Sequence, residues 1–465
     1  MNETDILARV LARIKPDADE HRKMQEVVDH IFALIKQVVS KKDLSGVEAV
    51  LVGSAARGTW ISGEHDLDIF ISFPEDADKE DLKTKGLEIA KEVASNADGF
   101  IERYAEHPYI HADFYGFKVD LVPCFGVSSA AHIRSAVDRT PFHNRFVLAR
   151  IKGLEDDVML LKQFMKATGV YGSDLRTGGF SGYLSELLVI HYGSFIEVIR
   201  AVDEWKPGVT IDINKHGTRK HNDVLVVTDP TDPVRNVAAA LVMDRFASFI
   251  NAARQYLDKP SMEMFFPVPV SCMDDDEFSM ILNKRGTSIV VVLFDKPDVV
   301  DDILYPQLFM LHNSLKDMVK RNEFSIHAGD VWAGKSKAAV MLELQASELP
   351  FVKKHTGPPV WAKQHAEQFN DKYQQQDKQD SVLSLVYIED GRYRVDILRK
   401  YLSAADLIRH KIHTCKLGRH VGESIRSEFM VLEDIQVVDI EDYSFRVFLK
   451  GFFHQFPAFN TYNSF

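Results

Sequence analysis

The sequence predicts an α+β protein built from several domains. Its 465 residues exceed what one hydrophobic core organises, which suggests about two to four domains. Apolar runs of strand length near residues 49–53, 66–73 and 117–123 alternate with stretches of helical periodicity. A hydrophobic content of 45% and a charged content of 27% are ordinary for a globular protein.

The first part of the chain predicts a mixed α/β domain over residues 1–145. Helices are expected over residues 4–40, with Thr4 as an N-cap and Pro16 separating two of them. The apolar spacing over residues 78–95 predicts an amphipathic helix between the strands. This domain therefore combines a sheet with several helices.

The middle of the chain predicts a mostly helical domain over residues 146–259. Apolar residues recur at three- and four-residue spacing between Leu148 and Met165. Further apolar helices are expected over residues 184–198 and 236–257.

From residue 260 onward, strands and helices mix. The run from Ser288 to Phe294 is typical of a buried strand. The other expected elements are a helix over residues 307–321, strands over 336–345 and 381–388, a helix near 361–375 and an exposed polar loop over 371–380.

Composition excludes some classes of protein. No apolar run reaches the roughly eighteen residues of a membrane span, and the polar N-terminus has no signal-peptide pattern, so a cytoplasmic protein is expected. Cys124, Cys272 and Cys415 are widely spaced, as expected of reduced thiols. A net charge of −12 allows nucleic-acid binding only through a local basic patch.

The segment from Val50 to Phe73 carries the strongest chemical signal. Gly53-Ser54 follows an apolar run, and a small turn of this kind lets backbone N–H groups approach a phosphate. Asp66 and Asp68 lie two residues apart on a predicted strand and therefore share a face. Two adjacent carboxylates repel each other, and Mg²⁺ is the divalent cation that oxygen ligands suit. The segment therefore predicts a site that binds a nucleoside triphosphate through magnesium.

Asp-x-Asp alone is common and would fit a solvated strand edge. Together with the Gly-Ser turn upstream, however, it resembles the nucleotidyltransferase superfamily that includes DNA polymerase beta and poly(A) polymerase. That resemblance implies a third carboxylate on a later strand, and Asp120 is the candidate. Val119 and Leu121 would then face the core, and Pro123 would end the strand.

Further segments narrow this resemblance to the archaeal class I CCA-adding enzymes, the tRNA nucleotidyltransferases. The matching segments, spread over nearly the whole chain, are Gly53–Trp60, Arg103–Tyr109, Ser135–His143, Val227–Ala238, Lys296–Gln307 and His420–Arg426. The family rebuilds the 3′-terminal CCA of tRNA from CTP and ATP without a nucleic-acid template. Many members have glutamate where this chain has Asp66.

The resemblance implies a domain organisation and a metal site. It implies a polymerase-beta-like catalytic domain over residues 1–145 and a helical neck over 146–259. It also implies an α+β, ferredoxin-like body over 260–303 and 404–465, and a tail over 304–403 that binds the acceptor and T-arm region of tRNA. Two Mg²⁺ ions would be held by the catalytic residues, which are Asp66, Asp68 and Asp120.

The resemblance also assigns nucleotide-binding roles. It places Gly53, Ser54 and Arg57 at the triphosphate, where the guanidinium suits phosphate oxygens. It places His143, Lys162 and Tyr171 around the incoming nucleotide. From spacing alone, His143 and Tyr171 would be ordinary loop or partly buried residues.

Arg235 matches the position whose side chain reads the base edge. A local salt bridge with Asp229 or Asp232, at the start of a helix, is the alternative role, and both roles are compatible. His107 resembles a residue near the primer end, although a histidine before proline is often a turn residue.

Several readings stay open at this point. The basic clusters would either contact RNA phosphates or form a solvated face, and they are Lys353–His355, Arg399–Lys400, Arg409–Lys411, Lys416 and Arg419–His420. The sequence does not determine the oligomeric state, and a homodimer is one candidate. The rival functions are a poly(A) or oligoadenylate synthase and a non-catalytic RNA-binding protein.

Overall fold

The computed structural model describes residues 2–104, 108–129, 132–374 and 381–454. These residues form two compact units, one within Met1–Pro269 and the other within Val270–Gln455. Among the described helices, none combines the length and apolar character that crossing a membrane requires.

The first unit contains helices throughout and two separate sheets. Its helices are α1 (Glu3–Ile14), α2 (Ala18–Lys41), α3 (Gly53–Arg57), α4 (Lys79–Ala94), α5 (Thr140–Leu148), α6 (Glu155–Ala167), α7 (Gly182–Tyr192), α8 (Phe195–Asp203) and α9 (Met243–Asp258). Its strands are β1 (Glu48–Val52), β2 (Asp66–Pro74), β3 (Gly99–Tyr104), β4 (Pro108–Phe114), β5 (Phe117–Gly126), β6 (Val209–Ile211), β7 (Leu225–Asp229) and β8 (Asp232–Asn236).

The larger sheet has the order β1-β2-β5-β4-β3. Strands β2 and β5 run parallel, whereas the other neighbours are antiparallel. Leu67, Ile69, Val119 and Leu121 are buried in a core that also contains side chains of α2 and α4. The predicted alternation along these two strands is therefore confirmed, and the opposite face carries the aspartates.

Two local predictions in this region were wrong. Asn2, not Thr4, caps α1 through a hydrogen bond to the Asp5 amide. Pro123 lies inside β5 rather than at its end. The pairs of β4 with β5 include Leu121, two residues before Pro123, and a proline is tolerated in a strand where its missing N–H is not part of the ladder.

The second core of this unit is formed by helices, including α1 and α6 to α9. The predicted helix over residues 184–198 is two helices, because the chain leaves α7 at Gly193 with φ +94°. The expectation of a mostly helical segment missed the small sheet β6-β7-β8. The helix predicted over residues 236–257 starts later, at Met243. The β-branched, fully buried run of β7 favours a strand and is the signal that the helical prediction overlooked.

The second unit is also α+β. Its helices are α10 (Asp275–Arg285), α11 (Asp301–Arg321), α12 (Lys363–Gln374), α13 (Ala404–Lys411), α14 (Arg419–Ser427) and α15 (Tyr443–His454). Its strands are β9 (Ser288–Asp295), β10 (Ile326–Ala333), β11 (Lys337–Leu344), β12 (Val352–Pro359), β13 (Tyr387–Glu389), β14 (Arg392–Leu398) and β15 (Phe429–Glu433).

Two sheets organise this unit. The antiparallel sheet β10-β11-β9-β15 packs α11, α13 and α14 on one face and α10 and α15 on the other. The second sheet has the order β12-β14-β13, and α12 contacts β12. Of the strand predicted over residues 381–388, only the end forms β13, while Val382 makes a single bridge to Ile397. The predicted loop over residues 371–380 lies largely outside the described residues.

Candidate active site

Three aspartates lie on the solvent-facing side of the parallel strand pair. Asp68 of β2 stands directly opposite Asp120 of β5 in the register. Asp66 is two residues earlier on β2, on the same face, and is exposed. The side-by-side position of Asp68 and Asp120 follows from parallel pairing, which sets the two strands level.

Negative charge is concentrated where these aspartates lie on β2 and β5. Burial, together with the charges of Asp120 and Asp66, raises the pKa of Asp68 to about 6, while Arg57 acts in the opposite direction. Such repulsion favours a bound cation. Within the described ranges, however, no group of three or more carboxylate, imidazole or thiol side chains has the arrangement of a ready-made metal site.

Asp120 has a partner that the sequence did not indicate. His111 of β4 is its register neighbour, and His111 Nδ1 lies 2.6 Å from Asp120 Oδ1. This contact fixes one carboxylate oxygen and leaves Oδ2 for another ligand. The segment 108–114 was not predicted as a strand, so the pairing of His111 with Asp120 was not foreseen.

Gly53 brings the turn before α3 against the aspartates. Its φ is +75°, and a Cβ at this position would lie only 2.2 Å from Asp68 Oδ2. Any larger residue would therefore collide with the carboxylate as well as strain the backbone. Ser54, the next residue, stands in the first turn of α3, as the Gly-Ser motif predicts.

Arg57, at the end of α3, is buried in a polar cluster. Its Nε donates to Glu186 Oε1 at 2.9 Å, and its Nη2 lies 2.9 Å from Glu186 Oε2. Its Nη1 donates to Asn144 Oδ1 at 3.0 Å. Thr59 Oγ1 donates to Glu186 Oε1 at 2.6 Å, so one carboxylate collects donors from two residues that follow the Gly-Ser turn.

Lys162 of α6 completes this cluster. Its Nζ donates to the Thr59 carbonyl at 3.0 Å and lies 3.9 Å from Glu186 Oε1. Burial lowers the pKa of Lys162 to about 8, although the carboxylate of Glu186 opposes that effect. A buried lysine with so low a pKa gains from a nearby phosphate.

Tyr171 adjoins the same cluster through Gly182. A Cβ on Gly182 would lie 2.9 Å from the Tyr171 hydroxyl and 3.8 Å from Lys162 Nζ. Burial raises the pKa of Tyr171 above its usual range, so the hydroxyl stays a hydrogen-bond donor. The absence of a side chain on Gly182 therefore keeps both groups within reach of one ligand.

A second polar cluster surrounds Asp229 at the end of β7. His143 Nε2 lies 2.9 Å from Asp229 Oδ2, and Arg235 Nη1 donates to the same oxygen at 2.7 Å. Thr231 donates to the other oxygen, and Tyr183 stacks on the His143 ring at 4.1 Å. Burial acts to raise the pKa of Asp229, but the His143 and Thr231 hydrogen bonds outweigh it and hold that pKa well below its usual range.

A cavity of about 750 Å³ opens beside this second cluster. His143 and Arg235 line it, together with Tyr183 of α7. Arg139 and Arg219 add two more guanidinium groups to the wall. The size lies in the range of small-molecule sites, and the cationic, aromatic lining suits a nucleotide rather than an apolar ligand.

The structure thus sorts the predicted residues into three groups. Asp66, Asp68 and Asp120 share the sheet edge with Gly53 and Ser54. The second group, Arg57, Lys162 and Tyr171, lies at the Glu186 cluster. The third group consists of His143, Arg235 and Asp229. The residues of the first two groups are not among those that line the cavity. Asp229 is a direct partner of Arg235, but Arg235 lies on β8 and not at the start of a helix. His107 lies outside the described residues.

Several residues of the site were missed by sequence reasoning. They are Thr59, His111, Asn144, Tyr183 and Glu186. Glu186 had a usable signal, because it is the one carboxylate in the apolar helix α7 and a buried carboxylate requires partners. Thr59 lies inside the matching segment Gly53–Trp60, and His111 is only nine residues from Asp120 but on a strand that was not predicted. Asn144 gave no local signal, because its partner Arg57 is 87 residues away.

Fold and site together define the class of protein. A Gly-Ser turn packed against carboxylates on paired strands is the arrangement of a nucleotidyltransferase, and the family described as "Nucleotidyltransferase domain" matches residues 33–143. Two further matches are "tRNA nucleotidyltransferase, second domain" over residues 156–266 and "CCA-adding enzyme, C-terminal domain" over residues 285–434.

Curated relatives agree over almost the whole length. The CCA-adding enzyme of Methanosarcina barkeri is 48% identical over 441 residues, covering 95% of this chain and 96% of that protein. That of Methanothermobacter thermautotrophicus is 40% identical over 460 residues (97% and 98%), and that of Archaeoglobus fulgidus is 37% identical over 434 residues (93% and 95%). The chain belongs to the CCA-adding enzyme family.

Proposed function

We propose that this protein adds and repairs the 3′-terminal CCA of tRNA, using CTP and ATP. The observation that carries the proposal is full-length membership of the family, combined with intact carboxylates on β2 and β5. The reaction joins the tRNA 3′-hydroxyl oxygen to the α-phosphorus of the nucleotide and releases pyrophosphate.

In this proposal Asp66, Asp68 and Asp120 hold Mg²⁺. The residues fit the ion, because Asp68 and Asp120 stand opposite each other on neighbouring strands, and burial together with the charge of Asp120 raises the pKa of Asp68. Bound Mg²⁺ would supply neutralising charge for the triphosphate and lower the pKa of the attacking hydroxyl. Gly53 keeps the loop close to these carboxylates, and His111 orients Asp120.

Arg57, Lys162, Tyr171 and the Ser54 turn would bind the triphosphate. Hydrogen bonds to Glu186 and Asn144 occupy only two of the five N–H groups of the Arg57 guanidinium, so others stay free for phosphate oxygens. These side chains orient the phosphates and hold the pyrophosphate as it leaves.

The base would enter the cavity beside Asp229. Arg235 would donate to acceptor groups of cytosine or adenine while Asp229 fixes its guanidinium. Tyr183 and His143 offer stacked rings on the same wall. The change from C to A addition would then depend on the growing RNA end as well as on these side chains.

The tRNA itself would be held largely by the second unit, including the tail assigned to residues 304–403. Several of the predicted basic residues are already paired with carboxylates: Lys354 with Glu389, Arg399 with Glu323 and Arg409 with Glu433. Such pairs weaken the attraction for RNA phosphates, so shape and 2′-hydroxyl contacts should matter more than the number of cations.

The deciding experiment measures incorporation of labelled CTP and ATP into tRNA that lacks its CCA, for wild type and Asp68→Ala. We expect the wild type to add C, C and A and then stop, and the variant to add nothing. A long A tail would support a poly(A)-type enzyme instead. Tight tRNA binding without incorporation by the wild type would support a non-catalytic RNA-binding protein.

A further inference from the structure

We propose that Glu186 is a positioning residue that holds Arg57 and Lys162 in the orientation in which they bind the triphosphate. This inference rests on the proposed function, because it concerns the same nucleotide site. Glu186 is fully buried, and no role has been assigned to it above beyond its contacts.

Glu186 lies on α7, on the side that contacts the proposed triphosphate-binding residues. Gly182 and Glu186 are four residues apart and therefore lie on one face of the helix. That face meets Tyr171 and Lys162 at Gly182 and Arg57 at Glu186. One helix face thus contacts Arg57, Lys162 and Tyr171, the three side chains proposed to bind the triphosphate together with the Ser54 turn.

The contact between Glu186 and Arg57 has a defined geometry. Arg57 Nε donates to Glu186 Oε1 at 2.9 Å, and Nη2 lies 2.9 Å from Oε2 as an ion-pair contact without a hydrogen bond, so the carboxylate faces one edge of the planar guanidinium. Asn144 binds the remaining nitrogen. A long, flexible arginine side chain is thereby restricted to one orientation before any ligand binds.

Glu186 also supports Lys162, through Thr59. The Thr59 hydroxyl donates to Glu186 and lies 3.3 Å from Lys162 Nζ, which also binds the Thr59 carbonyl. Glu186 therefore fixes the residue that supports the lysine. Its single negative charge faces two cations, which leaves net positive charge for an anionic ligand.

A second cluster of the same kind, in the other compact unit, supplies a matched control. In the other unit Arg285 Nε and Nη2 donate to Glu343 at 2.7 and 2.9 Å, and Thr287 Oγ1 donates to the same carboxylate at 2.6 Å. Glu343 is also fully buried. The two clusters share the Arg-x-Thr spacing, so Glu343→Gln perturbs a buried carboxylate of the same kind and changes no residue of the proposed nucleotide site.

The test compares Glu186→Gln with Glu343→Gln in the full-length protein. Binding of inorganic tripolyphosphate, which has no base or ribose, is measured by titration calorimetry, and KM and kcat are measured for CTP and ATP. We expect Glu186→Gln to weaken tripolyphosphate binding and to raise both KM values by a similar factor of about ten or more. Glu343→Gln should leave all three within about twofold.

Tighter binding of tripolyphosphate by Glu186→Gln would overturn the proposal. If Glu186 were merely a counter-charge, its neutralisation would leave two uncompensated cations, and tripolyphosphate would bind more tightly. An unchanged affinity, or equal weakening in both variants, would equally contradict a positioning role.

Two provisions keep the test decisive. If Glu186→Gln does not fold, Thr59→Val is compared with Thr287→Val, and weakening in the first variant alone supports the proposal while equal effects refute it. A wild type that adds no CCA would overturn the proposed function, whereas the tripolyphosphate measurement reports on Glu186 independently of catalysis.

Discussion

Removing the charge of Asp68 should stabilise the metal-free protein even though it abolishes activity. The pKa of Asp68 rises from 3.8 to about 6 on folding, so the folded state resists its ionisation. One pKa unit corresponds to about 1.4 kcal/mol, which makes the cost about 3 kcal/mol at pH 8. Asn preserves the shape of the side chain and removes the charge, so Asp68→Asn should raise the free energy of unfolding by about 1–3 kcal/mol.

The dependence on pH gives this prediction its sign. A carboxyl with a raised folded-state pKa destabilises the protein fully above about pH 6, and the effect disappears as pH falls through that value toward 3.8. Calorimetric unfolding with EDTA should therefore show a higher midpoint for Asp68→Asn at about pH 8, by about 2–4 °C per kcal/mol, and little difference at about pH 3.5, below the unfolded-state pKa.

The control for this experiment is the exposed carboxylate on the same strand. Asp66→Asn should raise the midpoint less than Asp68→Asn, because its charge is already solvated. Addition of Mg²⁺ should stabilise the wild type and close the gap to Asp68→Asn. A midpoint for Asp68→Asn that is equal to or below that of the wild type at pH 8 would refute the reasoning.

The Gly-Ser turn, the buried lysine and the partly exposed arginine each give one more prediction. Gly53→Ala should lower the incorporation rate at least about a hundredfold, because its Cβ would lie 2.2 Å from Asp68 Oδ2. The control Gly63→Ala has a similar φ of +81° but no heavy atom within 4 Å, so it should cost only about 1–2 kcal/mol of stability. Equal losses of activity in the two variants would contradict this prediction. Since burial lowers the pKa of Lys162 to about 8, nucleotide affinity should fall as pH rises through that value, and equilibrium binding to Lys162→Arg should stay flat up to about pH 10. Arg235→Ala should reduce the preference for CTP over UTP by about tenfold or more in competition assays, and unchanged preference would exclude Arg235 from base selection.

The positions of Asp66 and Asp68 on the sheet were the most predictable part of the candidate site. Period-two alternation assigns Asp66 and Asp68 to one face of β2 from the sequence alone, and the buried Leu67 and Ile69 agree with it. The register that sets Asp120 level with Asp68 depends on parallel pairing with β5, and only the family resemblance pointed to Asp120.

Long-range pairs were the least predictable part. Glu186 and Arg57 are 129 residues apart, and local periodicity carries no information about which charge meets which. The small sheet that carries Arg235 was missed for a related reason, since β6 has only three residues and pairs with a strand beyond a long polar segment. The 3.6-residue and two-residue periods therefore located many of the helices and strands. Which side chains meet in the candidate site depends on tertiary contacts that these periods do not encode.

The hydrogen bond between Asp229 and Arg235 has a consequence for redesign of the base pocket. Asp229 is fully buried and already accepts from His143 and Thr231, so its acceptor geometry cannot adapt to a different side chain at position 235. Exchange of Arg235 alone would remove one charged donor from a buried carboxylate, so it would destabilise the pocket as well as alter its selectivity. New nucleotide preferences should therefore require coordinated exchange of Asp229 and Arg235, and the two positions are expected to change together when homologous sequences diverge.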